Sequence, residues 1–171
     1  MLNVHPLLVH FPIALLTVYA LMELLRIKRL QAHPHVFALK AFLVIVGALS
    51  LVVTYQSGEL IEEQYAIGEL NLTVERHATF ALASHVAFGI LGLGYVVRVL
   101  REAYAQKPIW NTFLGASLQR FSNVVSGSCV APCLAFLGLV SLTITGALGG
   151  AIVHGPEIDP MVNLIYHLFV R

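Results

Sequence analysis

The chain has 171 residues, 58% of them hydrophobic and 11% charged, with a formal net charge of +1 and a mean hydropathy of +0.82. Soluble domains carry about 25% charged residues, so this composition excludes an ordinary soluble enzyme. The near-neutral balance, without any basic run, excludes a nucleic-acid partner and leaves the lipid bilayer as the expected surroundings.

In chain order, four stretches are uncharged or nearly so: 7–25, with Glu23 near its end, 36–55, with Lys40 near its start, 78–97 and 130–153. Each is long enough to cross a hydrocarbon core of about 30 Å at about 1.5 Å per helical residue. The expected fold is therefore an all-α membrane protein, a single four-transmembrane-helix bundle over 1–171 with helices at approximately 6–26, 36–57, 77–98 and 129–154. Pro6 suits the first turn of helix one, where its missing N–H removes no helical bond. Pro12 lies further in and is expected to kink the helix beside His10, provided a neighbour satisfies the freed carbonyl. Helix two is expected to end near Ser57 and Gly58, and 58–76 to form an acidic connection before helix three opens near His77. Residues 108–123 mix Ile109, Trp110, Phe113, Leu114 and Phe121 with polar residues, the pattern of a helix lying on the membrane surface. The apolar tail 161–170 is too short to span and is expected at the surface on the side of the N-terminus. No internal repeat or low-complexity segment is evident.

Charge divides the two sides of the bundle. Arg26, Lys28, Arg29, Lys40, Arg98, Arg101, Lys107 and Arg120 flank the first-to-second and third-to-fourth connections, eight of the ten basic residues. Glu59, Glu62, Glu63, Glu69, Glu75, Glu157 and Asp159 lie on the other side, with only Arg76 and Arg171 as basic residues there. By the positive-inside rule the basic connections are cytoplasmic and both termini extracytoplasmic, in the cytoplasmic (inner) membrane of a bacterium. Residues 1–6 contain no lysine or arginine, so the first helix reads as an anchor inserted N-end out rather than as a cleaved leader. Six of the eight histidines, His5, His10, His77, His85, His154 and His167, then share the extracytoplasmic side.

Imidazole is the commonest side-chain metal ligand, and ionisable groups at membrane depth are functional candidates. His10, about one turn into helix one, and His77, opening helix three, suit bis-histidine ligation of a haem b held between helices of a bundle. Their alternative role is hydrogen bonding to backbone carbonyls or to nearby carboxylates. His85, eight residues beyond His77, lies about 12 Å deeper and is the reserve ligand. His5 and His154 sit at the boundary, where they suit a propionate, a second metal or nothing, and His167 reads as a surface residue. Gly146, Gly149 and Gly150, with Gly89, Gly92 and Gly94, permit close approach of a helix or of a flat macrocycle. Glu59, Glu62 and Glu63 share a face if helix two continues past Gly58; they form either a solvated rim or, with Glu75 and His77, a cation site. No Glu-x-x-His pair occurs, which speaks against a di-iron carboxylate bundle. Cys129 and Cys133 match no haem-attachment or redox spacing, and His33 and His35 lack an evident partner on another helix.

The strings His5-Pro-Leu-Leu-Val-His-Phe-Pro-Ile-Ala-Leu15, Glu75-Arg-His-Ala78 and Thr145-Gly-Ala-Leu-Gly-Gly-Ala-Ile-Val-His-Gly155 resemble the bacterial membrane family catalogued as domain of unknown function 2231, which has four spans and opens on an HPxxVHFP signature. The resemblance covers nearly the whole chain and singles out His5, Pro6, His10, Pro12, His77, Gly146, Gly149 and Gly150. It departs from the family at Ser57-Gly58-Glu59, where a threonine–glycine–aspartate type of ending is usual, and at His85, which is additional. Related domains occur beside redox modules such as c-type cytochromes and Rieske proteins, so the resemblance implies electron transfer by association. The expected function is a membrane electron-transfer subunit binding haem b near the extracytoplasmic face, passing single electrons between quinol or other membrane redox subunits and a periplasmic carrier. The alternatives are a cofactor-free structural or assembly subunit of a larger membrane complex, and a Glu/His metal-binding or transport protein. No hydrolytic constellation is present, so a self-contained enzyme is not expected.

Overall fold

The computed structural model describes residues 4–27, 29, 33–68, 70–127 and 129–171. Lys28 and Glu69, which enter the charge count of the two sides, lie outside them, as do residues 1–3. The described residues are helical, without a strand: α1 (His5–Leu8), α2 (His10–Leu25), α3 (Val36–Tyr65), α4 (Leu70–Ala103), a 3-10 turn at Pro108–Asn111, α5 (Phe113–Val125), α6 (Val130–His154) and α7 (Pro160–Phe169). Four helical segments are long and apolar enough to cross a membrane, α1 with α2 forming the first and α3, α4 and α6 the others. The chain is thus an all-α, four-span membrane bundle.

Pro12 explains the break between α1 and α2. Having no N–H, it leaves the Leu8 carbonyl without its helical partner, and the Thr54 hydroxyl of α3 donates to that oxygen at 3.4 Å. The expected compensation of the freed carbonyl is present, while Val9 at the break keeps helical dihedrals, φ -60° and ψ -26°.

Two expected boundaries are wrong. Helix two does not stop at Ser57 and Gly58 but runs to Tyr65, and helix three begins at Leu70 rather than at His77. Gly58 carries no turn; it makes room for the His5 ring, which a Cβ there would meet at 3.1 Å. The reversal falls at Ala66–Gly68, where Gly68 takes a left-handed φ of +59° that favours glycine. At 30 and 34 residues, α3 and α4 reach about 45–50 Å, well beyond a hydrocarbon core of about 30 Å. Glu59, Glu62 and Glu63 therefore ride on a helix, as their spacing allows, and all three are exposed.

The surface segments are helical too. Thr112 caps α5 by accepting from the Gly115 N–H at 3.2 Å, and the buried Ser122 hydroxyl donates to the Gly94 carbonyl at 2.8 Å, fastening α5 to α4. Asp159 caps α7 through the N–H groups of Met161 and Val162 at 2.8 and 2.9 Å. The tail helix buries Val162 against Ala147 and Ala151 of α6 and sets Phe169 edge-on to Phe80 of α4. Met161, Leu164 and Leu168 remain exposed on its other side.

The spans form a square in which α2 and α4 each pack on both α3 and α6. At the end carrying Arg26, Lys40 and Arg98, the diagonal between α2 and α4 is closed by Tyr19, which meets Phe88 and Tyr95 edge-on at 6.4 and 5.8 Å. Phe37 stacks on Tyr95, and the Arg98 guanidinium lies over Phe37. Buried Glu23 pairs with Lys40 of α3 and with Arg26, which follows α2 in a left-handed conformation. This ion pair ties the first two spans together at their basic ends.

Candidate functional site

Toward the other end the diagonal opens. A cavity of about 450 Å³ lies there, within the range of about 300–1,000 Å³ usual for small-ligand sites. Its wall from α4 carries small residues, Ala78, Ala81 and Ser84, and its wall from α6 carries Gly146, Gly149 and Gly150. All eight residues expected at a site line it: His5, His10, His77, His85, His154 and those three glycines. His167 is exposed on α7, and the His33 and His35 rings lie 5.4 Å apart, tilted by 52°, in the connection at the opposite end.

The histidines are held differently. His77 Nδ1 lies 2.9 Å from the Thr145 carbonyl oxygen. A carbonyl only accepts, so Nδ1 carries the proton and, in a neutral ring, the lone pair falls on Nε2. Such a backbone bond is the usual way in which a metal-binding imidazole is oriented. His5 repeats the arrangement: its Nδ1 is 3.1 Å from the Thr54 carbonyl and 2.9 Å from Ser57 Oγ, whose own hydroxyl donates to Thr54 O at 2.7 Å. Nδ1 is again the donor. His5 and His77 both line the cavity. His85 sets its ring edge-on to Tyr55 at 5.8 Å, and its Nδ1 is buried without a hydrogen-bond partner. His10 and His154 are exposed at the rim.

The three expected glycines have three roles. A Cβ on Gly149 would meet the His77 ring at 3.2 Å, so this glycine seats the imidazole. A Cβ on Gly146 would meet nothing within 4 Å, and Gly146 therefore opens the wall. A Cβ on Gly150 would meet Val162 of α7 at 3.6 Å, an ordinary contact, so this glycine faces the tail helix.

Sequence reasoning missed Thr54, Ser57, Gly58 and Thr145, the groups that orient and seat the two rings. A signal for them exists. Gly47-Ala-Leu-Ser-Leu-Val-Val-Thr-Tyr-Gln-Ser-Gly58 and Gly138-Leu-Val-Ser-Leu-Thr-Ile-Thr-Gly-Ala-Leu-Gly149 share the pattern G-x-x-S-L-x-x-T-x-x-x-G, so the expectation that no repeat exists is overturned. The buried Glu23–Lys40 pair also went unforeseen, because both residues read as charges near span ends.

Among the described residues no three His, Cys, Asp or Glu side chains stand close enough to hold a bare metal ion. A macrocycle that supplies four equatorial nitrogens needs only two from the protein. His77 and His85 both line the cavity, His77 with Nδ1 engaged by the Thr145 carbonyl and His85 with Nδ1 buried and unpartnered, a donor set compatible with that requirement. Fold and site together define a four-span membrane helical bundle with a histidine-lined cavity in one half. Set against models of protein families, curated proteins and solved structures, the chain matches none.

Proposed function

We propose that the protein is an electron-transfer subunit of the bacterial cytoplasmic membrane that binds haem b in this cavity, with both termini and the histidine end facing the periplasm. The observation that carries the reading is the His77 ring, fixed through Nδ1 with its Nε2 lone pair available for iron at a cavity wall. When bound, haem supplies one-electron chemistry; the residues of the chain orient its ligands and exclude water from its apolar faces. A second ligand would come from the first span, which brings His5 and His10 to the cavity. The donor is a quinol or another membrane redox subunit, and the acceptor a periplasmic carrier such as a c-type cytochrome or a Rieske protein. The resemblance of the opening motif to the family of domain of unknown function 2231 supports the redox setting by association.

Dithionite-reduced spectra of detergent-purified protein should show a low-spin b-type signal, lost in His77→Ala. Reporter fusions after residue 32 and after residue 171 should give cytoplasmic and extracytoplasmic activity respectively; the reverse pattern removes the periplasmic carrier. The second reading is a cofactor-free structural subunit, favoured by the same Nδ1–carbonyl bonds if they serve only to join helices. Absence of haem from protein isolated out of its native membrane selects it.

A further inference from the structure

The repeated twelve-residue pattern extends to the whole bundle. A step of 91 positions carries Val44, Gly47, Leu51, Thr54 and Gly58 of α3 onto Ala135, Gly138, Leu142, Thr145 and Gly149 of α6. A step of 72 carries His5 onto His77, and every buried residue of α2 onto a buried residue of α4: Pro12 onto Ser84, Leu16 onto Phe88, Tyr19 onto Leu91, Ala20 onto Gly92, and Glu23 onto Tyr95. Arg26 and Arg29 fall on Arg98 and Arg101 by the same step.

Contacts follow the same rule. Gly47 lies under Leu16, and its counterpart Gly138 under Phe88, with a Cβ meeting those side chains at 2.5 and 2.8 Å. A Cβ on Gly58 would meet Cε1 of His5 and one on Gly149 would meet Cε1 of His77, at 3.1 and 3.2 Å. Each ring donates from Nδ1 to the carbonyl of the threonine four residues before its glycine. Exchanging the hairpins α2–α3 and α4–α6 also preserves the packing order of the square. Both hairpins leave the histidine end and return to it, so the operation is a pseudo-two-fold rotation about the bundle axis, the relation found between parallel repeats in membrane proteins.

We infer that the chain is a duplicated helical hairpin and that His5 and His77, exchanged by its two-fold axis across the diagonal cavity, form the axial ligand pair. The inference rests on the haem reading and deepens it. The two imidazoles share the protonated nitrogen, a threonine carbonyl acceptor and a seating glycine, and His5 Nδ1 has Ser57 Oγ as an additional partner. His10 has no such counterpart, since the step of 72 carries it onto Leu82, and it is exposed. His85 falls opposite Ile13 and is likewise unpaired by the symmetry. Those two histidines belong to the surroundings of the macrocycle rather than to its iron.

The test compares His5→Ala, His77→Ala and His10→Ala in full-length protein purified in detergent, using absorption and electron paramagnetic resonance for haem and size-exclusion chromatography for folding. His5→Ala and His77→Ala should each lose the low-spin signal, each regain it with added imidazole, and elute as the wild type does. His10→Ala should keep the wild-type spectrum. His5→Met, which can still ligate, should retain haem with the raised potential of His/Met ligation even if the alanine variant fails to fold. Haem in the wild type with an unchanged spectrum in both His5→Ala and His5→Met, or loss of the signal in His10→Ala, overturns the pair and leaves the cytochrome. Wild-type protein without haem overturns the functional reading itself, and the ligand pair with it.

Discussion

The same four helices build two halves that pack in opposite ways. In the basic half, large side chains meet across the diagonal: Tyr19, Leu16, Phe88 and Leu91 are fully buried, and the Glu23–Lys40 pair fastens α2 to α3. In the histidine half α4 turns Ala78, Ala81 and Ser84 and α6 turns Gly146 toward the interior, and a cavity remains. The contrast shows how a bundle spares a site: side-chain volume falls along two of its helices while the basic end stays locked.

The strongest challenge to this division is to unlock the basic end. Lys40→Met leaves Glu23 buried with only the partly exposed Arg26 as partner. Removing one member of a buried pair costs roughly 3–5 kcal/mol, and Glu23→Gln combined with Lys40→Met should recover most of it. Thermal melts followed by circular dichroism in detergent check both variants; an unchanged melt for Lys40→Met would show that the pair does not lock the bundle. Phe88→Ala should destabilise by a similar amount, roughly 3–5 kcal/mol, because Phe88 is fully buried and packs on both Tyr19 and Gly138.

Glycine substitutions sharpen the comparison further. Gly138→Ala places a methyl group 2.8 Å from the Phe88 ring and is expected to cost about 1–3 kcal/mol through overpacking. Gly146→Ala, with nothing within 4 Å, should instead stabilise α6 by about 0.5–1 kcal/mol through helix propensity. Opposite signs for one chemical change on one helix would confirm that the two halves differ in packing. Equal effects would mean that the cavity closes in solution. The smallest effect is expected at the rim, where Glu59, Glu62 and Glu63 are exposed. Replacing all three with glutamine should leave melting temperature, haem and metal content unchanged, as measured by calorimetry and elemental analysis; loss of a stoichiometric non-haem metal would place a site there.

Hydropathy and charge alone determined the four spans, the separation of basic from acidic ends and the gathering of six histidines at one of them, because these are sums over neighbouring residues. They also marked Pro12 as a break needing a donor. Helix ends were misread where the signal was a glycine: Gly58 and Gly149 look like punctuation or packing in sequence, and in the fold they seat imidazole rings. Tertiary structure alone decided that His5 and His77 share one geometry, that His10 is exposed, and that Glu23 finds Lys40. Helix rotation sets these outcomes. Each residue turns a helix by about 100°, so which side chains meet depends on the packing of all four spans rather than on their spacing in one.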